Sequence, residues 1–492
     1  FKTMRKIFDA QQIRQWDAYT IAQEPIASID LMERASDAFT ARLLSLFFDN
    51  DFIIFCGKGN NGGDGLAIAR MLVAMNRKVE VYVIDYSAQA SPDFVVNYDR
   101  LTSLTTIHSI KTLKDFPVIG QNGVVVDAIL GSGTNRPVEG ILKDVIQEIN
   151  QSKLPIIAVD IASGLYVSQP IARGNTIIQP DYTLTFEAPK LAFLMPQNQL
   201  YVGEWECLPI GLSKEYAQNT STSFFWTDSV SLKKRSKFSH KGTFGHALLA
   251  VGSYGSIGAA ILSAKACLRS GVGLLTTYIP ACGYEIMQAS VPEAMCQTDS
   301  AEKELSVCPD LEKYTVIGIG CGLGKSEKTK AFLKVLLKQA QSPVVLDADA
   351  LNIIAEEADM LALIPAKSVL TPHPKELQRL IGPWENDFDK LEKVKGFSQQ
   401  YDCIVLVKGM YTAIVLPNQE VHFNSIGNPG MATGGSGDVL TGIITALIAQ
   451  GYSAEEATII GVFKHGEAGD IASQERGQMA MLPSDIIDKL RW

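Results

Sequence analysis

Along almost its whole length this chain alternates short β-branched apolar runs with helical patterns, and the runs end in glycine and carboxylate rather than in hairpin turns. A strand that no hairpin returns must cross over through a helix. The alternation therefore predicts an α/β architecture with largely parallel sheets. In the first half, strands are expected at 52–56, 79–84, 123–129 and 155–160, after a helical pattern at 9–48 that contains Leu31-Met32-Glu33-Arg34-Ala35. In the second half they are expected at 246–252, 273–279, 314–320, 343–347, 368–371, 403–407 and 411–416. Helical patterns at 258–270, 326–340, 386–400, 437–450 and 454–472 fill the gaps. Ligands of open parallel sheets bind outside the carboxyl ends of the strands, so the residues that follow each run carry the functional information.

At 492 residues the chain exceeds one ordinary core, and two or three domains are expected. The polar stretch 213–223 and the basic run Ser231-Leu232-Lys233-Lys234-Arg235-Ser236-Lys237 place a boundary near 215–230, dividing the chain into 1–220 and 221–492. The basic run reads as a solvated connector. A net charge of −9 argues against a nucleic-acid binder. The eight cysteines form no CxxC pair and the six histidines no HxxxH or HExxH pattern, which removes the usual zinc sites and fits a reducing compartment. No apolar stretch reaches the ~20 residues that span a bilayer. The start, Phe1-Lys2-Thr3-Met4-Arg5, has no apolar signal core, and its first three residues read as a vector-derived remnant. A cytoplasmic enzyme without membrane or nucleic-acid partners is the expectation.

Three strand ends of the first half converge. The run Cys56-Gly57-Lys58-Gly59-Asn60-Asn61-Gly62-Gly63-Asp64-Gly65 follows an apolar strand and opens a helix at Leu66-Ala67-Ile68-Ala69-Arg70. That is the setting in which glycine-rich turns bind phosphate, although no GK[ST] closes a Walker A motif. Asp127 leads into Gly131-Ser132-Gly133-Thr134-Asn135-Arg136-Pro137, and Asp160 into Ile161-Ala162-Ser163-Gly164. Asn61, Asp127, Asp160 and Ser163 should gather on one edge, where their oxygens suit a hard cation.

These segments, Gly57 to Gly65, Val126 to Pro137 and Val159 to Gly164, resemble the YjeF N-terminal domain, the NAD(P)H-hydrate epimerase family, over about the first 215 residues. The resemblance implies a Rossmann-like fold that interconverts the R and S forms of nicotinamide nucleotides hydrated at C6. It places the hydrated dinucleotide on Asn60, Asn61, Gly62, Gly63 and Asp64, and on Gly131, Ser132, Gly133, Thr134, Asn135, Arg136 and Pro137. It places a potassium ion on Asn61, Asp127 and Ser163, and the substrate's reacting ring against Asp160. Epimerisation at C6 needs proton transfer, and Asp160 is the candidate to supply it.

In the second half the strongest signal is Asn428-Pro429-Gly430-Met431-Ala432-Thr433-Gly434-Gly435-Ser436-Gly437-Asp438, running into an apolar helix that should start at Gly437. Glycines bare successive N–H groups and the helix dipole adds positive potential, so this corner suits an anion. Asp438 sets a carboxylate beside it, which points to chemistry on a neighbouring group. Upstream, Lys241-Gly242-Thr243-Phe244-Gly245-His246, Gly252 to Ala260, Gly318 to Gly324, Asp347-Ala348-Asp349, Leu370-Thr371-Pro372-His373-Pro374-Lys375-Glu376 and Val407-Lys408-Gly409-Met410-Tyr411-Thr412 belong to the same rim. Lys408 at the end of a buried strand calls for an anionic partner such as phosphate. Asp347 reads as a cap for the following helix, and Cys321 as a small packing residue.

Together these motifs resemble the YjeF C-terminal domain over about 235–492, an ADP- or ATP-dependent NAD(P)H-hydrate dehydratase of ribokinase-like fold. Two departures stand out: Cys321 where the family's glycine loop usually carries proline, and Lys375 where glycine is common, which bears on the local turn. The resemblance places an adenine nucleotide, with Mg2+, on Lys408, Gly409, Met410, Tyr411 and Thr412 and on Gly434, Gly435, Ser436 and Gly437. The hydrated dinucleotide would meet Ala259, Gly322, His373 and Asp438, with Asp438 as the proton-transfer group. Chains of this type resemble the ADP-using class, in which the nucleotide need not phosphorylate anything. ADP is the expected co-substrate, and AMP and phosphate the co-products.

The implied whole is a bifunctional isomerase and lyase that repairs hydrated NADH and NADPH. Its partners would be small molecules only, and the resemblance implies a homo-oligomer, a tetramer. The rival readings are a small-alcohol kinase fused to a regulatory domain, and a scaffold built on the N-terminal fold. The retained set Asn61, Asp127, Asp160 and Ser163 argues against the scaffold.

Overall fold

The computed structural model describes residues 4–492; the three residues read above as a remnant lie outside them. The chain forms two compact units. One comprises Lys6–Thr222 with Asn386–Phe388, and the other Ser223–Glu385 and Asp389–Trp492 together with Met4 and Arg5.

In the first unit seven strands form a sheet in the order Ile107–Ile110, Val79–Ile84, Phe52–Cys56, Val124–Ala128, Ile156–Val159, Tyr182–Phe186, Glu204–Leu208, every neighbour parallel. The central strands Phe52–Cys56, Val124–Ala128 and Ile156–Val159 are buried at every position, which explains their unbroken apolar runs. Strand order reverses between Phe52–Cys56 and Val124–Ala128, and a crevice opens at such a switch point. The expected helical stretch 9–48 is two helices, Ala10–Gln23 and Ser28–Leu46. Pro25 lies in the break and Asp9 caps the first helix in a capping box with Gln12.

The sheet of the second unit has eleven strands in the order Met4–Ile7 (of which Met4 and Arg5 belong to this unit), Phe224–Thr227, Val421–Asn424, Ala413–Val415, Ile404–Val407, Val369–Leu370, Val344–Leu346, Val316–Ile319, His246–Ala250, Leu274–Ile279, Met295–Thr298. From Ile404–Val407 to Met295–Thr298 all pairs are parallel, whereas Ala413–Val415 runs antiparallel to both neighbours. The switch point falls between His246–Ala250 and Val316–Ile319. Helices Ile257–Arg269 and Ser436–Ala449 pack on this sheet through an apolar core that includes Ala260, Ala264, Leu440 and Ile444. The basic connector is exposed, as expected, but pinned. Lys233 donates to the Gly451 carbonyl and lies over the Tyr452 ring, while Arg235 donates to the Gly271 carbonyl over the Phe244 ring.

Candidate functional sites

At the first unit's switch point lies a cleft of about 1110 Å³. Asn60, Asn61, Asp64, Asp160 and the whole segment Gly131–Pro137 line it. The glycine-rich run does not wait until Leu66 to become helical: the helix starts at Asn60, with Gly59 as a cap that offers no side chain. This changes the role of Gly62 and Gly63, which do not line the cleft. A Cβ on Gly62 would lie 1.8 Å from the Gly57 carbonyl oxygen, and one on Gly63 would meet the Met32 side chain at 2.9 Å. Both let the helix start press against its surroundings.

Asp127 and Ser163 come together, and Asn61 reaches the end of the strand Ile156–Val159 beside the strand that carries Asp127. Asp127 is fully buried; its Oδ1 accepts from Ser163 Oγ at 2.5 Å and its Oδ2 from the Ser163 N–H at 2.8 Å. Ser163 Oγ also accepts from the Leu130 N–H at 2.8 Å. Burial pushes the Asp127 carboxyl up to about 6 against these hydrogen bonds. Asn61 Nδ2 donates to the Val159 carbonyl at 2.9 Å, which leaves its Oδ1 buried with no partner among the described residues. An orphaned amide oxygen beside a buried carboxylate with no cationic partner among those residues fits a bound cation.

Asp160 follows the strand Ile156–Val159 with φ of 68°, in the left-handed region, and has partners of its own. There Oδ1 accepts from Thr185 Oγ1 at 2.9 Å and the Phe186 N–H at 2.9 Å, and Lys190 Nζ stands 3.2 Å away. Lys190, only 3% exposed, also donates to the Phe186 and Ala188 carbonyls. Two hydrogen bonds and one ion pair thus fix the ammonium group in this corner. Lys190 was missed by sequence reasoning. A lysine after Ala188-Pro189 carries no local signal, and only its burial reveals it.

In the second unit the rim assembles as expected from successive parallel strands. The helix after the glycine loop starts at Ser436, one residue earlier than expected, with Gly435 as its cap at φ of 100°. Gly435 offers no capping side chain, so first-turn N–H groups stay available to an anion. Ser436 is buried and its Oγ lies 3.3 Å from Nε2 of buried His465, whose pKa burial lowers to about 4. Lys408 Nζ lies 3.7 Å from Asp347 Oδ1, and a Cβ on Gly437 would lie 3.5 Å from Lys408 Nζ and 3.6 Å from Asp347 Oδ2. Met410 is 65% exposed, Tyr411 packs on Trp226, and Thr412 Oγ1 donates to the Gly409 carbonyl.

One expectation needs correction here. Asp347 does not cap the next helix: that helix begins at Asp349 with Ala348 as an unassisted cap, and Asp347 Oδ2 instead accepts from Thr441 Oγ1 at 2.8 Å. Cys321 packs in the apolar core, as expected, and also borders charged groups. Its sulfur, an Asp347 oxygen and an Asp438 oxygen all lie within 4.8 Å of one another. His373 Nδ1 accepts from the Lys375 and Glu376 N–H groups and so caps the helix Pro374–Ile381, while its Nε2 lies 3.1 Å from Glu376 Oε1. Lys375 therefore joins a regular helix start. Burial lowers the His373 pKa, with Lys408 adding to it. The Asp438 carboxyl is raised to about 6 by burial, with the Cys321 thiol lowering it, Asp347 raising it and Lys408 lowering it. Ala259 and Gly322 are neighbours, since a Cβ on Gly322 would lie 3.0 Å from that of Ala259.

No helix among the described residues is long and apolar enough to cross a membrane. Two family models match the chain: YjeF-related protein N-terminus over residues 28–192, and NAD(P)H-hydrate dehydratase over residues 247–491. The bifunctional NAD(P)H-hydrate repair enzyme Nnr of Moorella thermoacetica is 34% identical over 506 residues, covering 98% of this chain and 95% of that protein. The enzyme of the same name from Coxiella burnetii is 34% identical over 497 residues, covering 99% of each. A solved ADP/ATP-dependent NAD(P)H-hydrate dehydratase from Bacillus subtilis, co-crystallized with ATP/Mg2+, is 30% identical, with a TM-score of 0.44, over 53% of this chain and 92% of its own. With its full length aligned to relatives above 30% identity, the chain belongs to the bifunctional NAD(P)H-hydrate repair enzyme family.

Proposed function

We propose that this chain repairs hydrated nicotinamide nucleotides in two steps, as an isomerase over 1–220 and a lyase over 221–492. The first half interconverts the R and S forms of hydrated NADH and NADPH; the second returns the S form to NADH or NADPH while ADP becomes AMP and phosphate. The observation that carries the reading is that one chain joins both halves, each with a fixed carboxylate, Asp160 or Asp438, at the carboxyl edge of a parallel sheet. The fusion has a chemical reason: a dehydratase specific for one epimer strands the other unless a partner interconverts them.

In the first half, Asp160 transfers a proton at the C6 hydroxyl, oriented by Thr185, Phe186 and Lys190. Asn61, Asp127 and Ser163 would hold a potassium ion, whose charge compensates the buried Asp127 carboxylate. In the second half, the N-terminus of the helix Ser436–Ala449 and Lys408 bind the nucleotide phosphates, with Mg2+ accompanying the nucleotide. Consumption of ADP to AMP and phosphate requires its terminal phosphoryl group to pass to the departing C6 oxygen. The nucleotide therefore reacts, contrary to the expectation that it need not. Asp438 takes the hydroxyl proton as that oxygen attacks phosphorus and AMP leaves. Phosphate then departs with the C6–O electron pair, and loss of the C5 proton restores the ring. A cytoplasmic location and a tetrameric assembly complete the proposal.

The test is to supply both epimers of hydrated NADH and follow the return of reduced-nicotinamide absorbance with ADP, with ATP and without nucleotide. Complete recovery with ADP is expected. Recovery of only one epimer's share would remove the epimerase, and no recovery with either nucleotide would remove the dehydratase.

A further inference from the structure

The chemistry assigned to the first unit so far uses one carboxylate, yet inversion at C6 needs oxygen to leave one face of the ring and return to the other. Asp17 is the group left unused. It stands on the helix Ala10–Gln23, beside Trp16, and lines the same cleft as Asp160, Asp64 and Lys190. Among the described residues its carboxyl has no hydrogen-bond or ion-pair partner, whereas Asp160 Oδ1 faces three donors. One carboxylate of the cleft is therefore anchored and the other is free.

We propose that Asp17 is the second catalytic residue of the epimerase, the acid that works with Asp160 as base across the reacting carbon. The inference rests on the epimerase reading above. Asp17 gives its proton to the C6 hydroxyl. The C6–O bond breaks, its electron pair leaving with water, while the N1 lone pair forms the C6–N1 double bond of an iminium ion. Water then adds to the opposite face, that π pair returns to N1, and Asp160 takes the proton of the incoming water. Nothing is oxidised or reduced, one water leaves and one enters, and in the reverse direction the two acids exchange roles.

The surroundings of Asp17 suit an acid. Its carboxyl is raised to about 6, chiefly by burial, with Asp160 and Glu187 contributing to the rise and Lys190 opposing it. Arg14 lies one turn earlier on the same helix and also lines the cleft. Asp64 is raised as well, by burial, then by Asp160 and Asp17, but it is engaged by the Ser36 hydroxyl. Two carboxyls in one cleft with such different settings are the pattern by which acid and base roles are divided.

The experiment compares wild type, Asp17→Asn and Asp17→Glu with purified hydrated NADH across pH 5 to 8, using the full chain. Removing a positioned acid should lower the epimerisation kcat about 10²–10⁴-fold in Asp17→Asn. KM should stay within a few-fold, and ADP-dependent dehydration of the S form should be unchanged, which controls for folding. The wild-type profile should fall as pH rises through about 6, as Asp17 loses its proton. That limb should be absent in Asp17→Asn and present in Asp17→Glu, which restores part of the rate. An Asp17→Asn kcat within about three-fold of wild type, or a loss confined to KM, overturns the assignment of Asp17 alone. A wild type without epimerisation overturns the underlying reading too.

Discussion

Replacing Cys321 tests how Asp438 is tuned. Its thiol donates to Asp347 Oδ2 at 3.9 Å and lies within 4.8 Å of an Asp438 carboxylate oxygen, and its interaction with Asp438 counters the upward push of burial. Cys321→Ala removes that donor. A thiol is a weak donor, so the hydrogen bond is worth about 0.5–1.5 kcal/mol. With ~1.36 kcal/mol per pKa unit, the Asp438 carboxyl should rise by about 0.4–1.1 units above its value of about 6.

The sign follows from the role of Asp438 as the base. Dehydration needs its ionised form, so the acidic limb of kcat/KM should move to higher pH. At pH 6 the ionised fraction falls from about one half to between roughly 0.07 and 0.3, which lowers the rate about two- to seven-fold. At pH 8 the variant should be nearly as fast as wild type. The smaller alanine also leaves room for water, which would act in the opposite direction. Cys321→Ser separates the effects because it keeps a donor, a stronger one, in a side chain of similar shape. Its limb should lie at or below that of wild type. The assay is the pH dependence of ADP-dependent dehydration of the purified S epimer. An alanine variant whose limb stays put, or alanine and serine limbs that move together, would refute the reasoning.

Asp438→Ala should stop dehydration and leave epimerisation intact, and Asp160→Ala should do the reverse; the two-epimer absorbance assay reads both. Near-normal dehydration by Asp438→Ala would overturn its assignment. Gly62→Ala should destabilise the first unit by about 1–3 kcal/mol or more, because its Cβ would lie 1.8 Å from the Gly57 carbonyl oxygen. Urea unfolding of the fragment-length signals from Trp16 and Trp205 should show it, without a matching loss of dehydratase activity. Exchanging potassium for tetramethylammonium, too large for the Asn61–Asp127–Ser163 set, should slow epimerisation at least ten-fold and leave binding of ADP unchanged. An equal rate in both salts would remove the cation from the first unit.

The sheets were legible because parallel strands buried on both faces leave unbroken apolar runs, as in Ile404–Val407. Edge strands were not, and neither were the interior strands Tyr182–Phe186 and Val421–Asn424, whose runs are broken by polar residues. Ile107–Ile110 and Met295–Thr298 carry exposed polar positions, so their runs are too short and mixed to stand out. At the candidate sites, acids and glycines at strand ends marked the right rims, since topology alone delivers those residues to one edge. What each residue does there was less legible. Asp347 reads as a cap in sequence because an acid before a helix usually is one, and only the approach of Thr441 and Lys408 shows otherwise.

By itself, the sequence determined two α/β units, the rims on which their sites lie and the family to which the chain belongs, because these follow from local pattern and motif. Tertiary structure alone decided that Gly62 and Gly63 have no room for a side chain, that Thr185, Phe186 and Lys190 hold Asp160, that Asp17 lines the same cleft, and that Cys321 stands near Asp347 and Asp438. The physical reason is that a carboxylate's charge and orientation are set by burial and by partners brought from distant parts of the chain. Those are properties of the packed fold, and no spacing in the sequence encodes them.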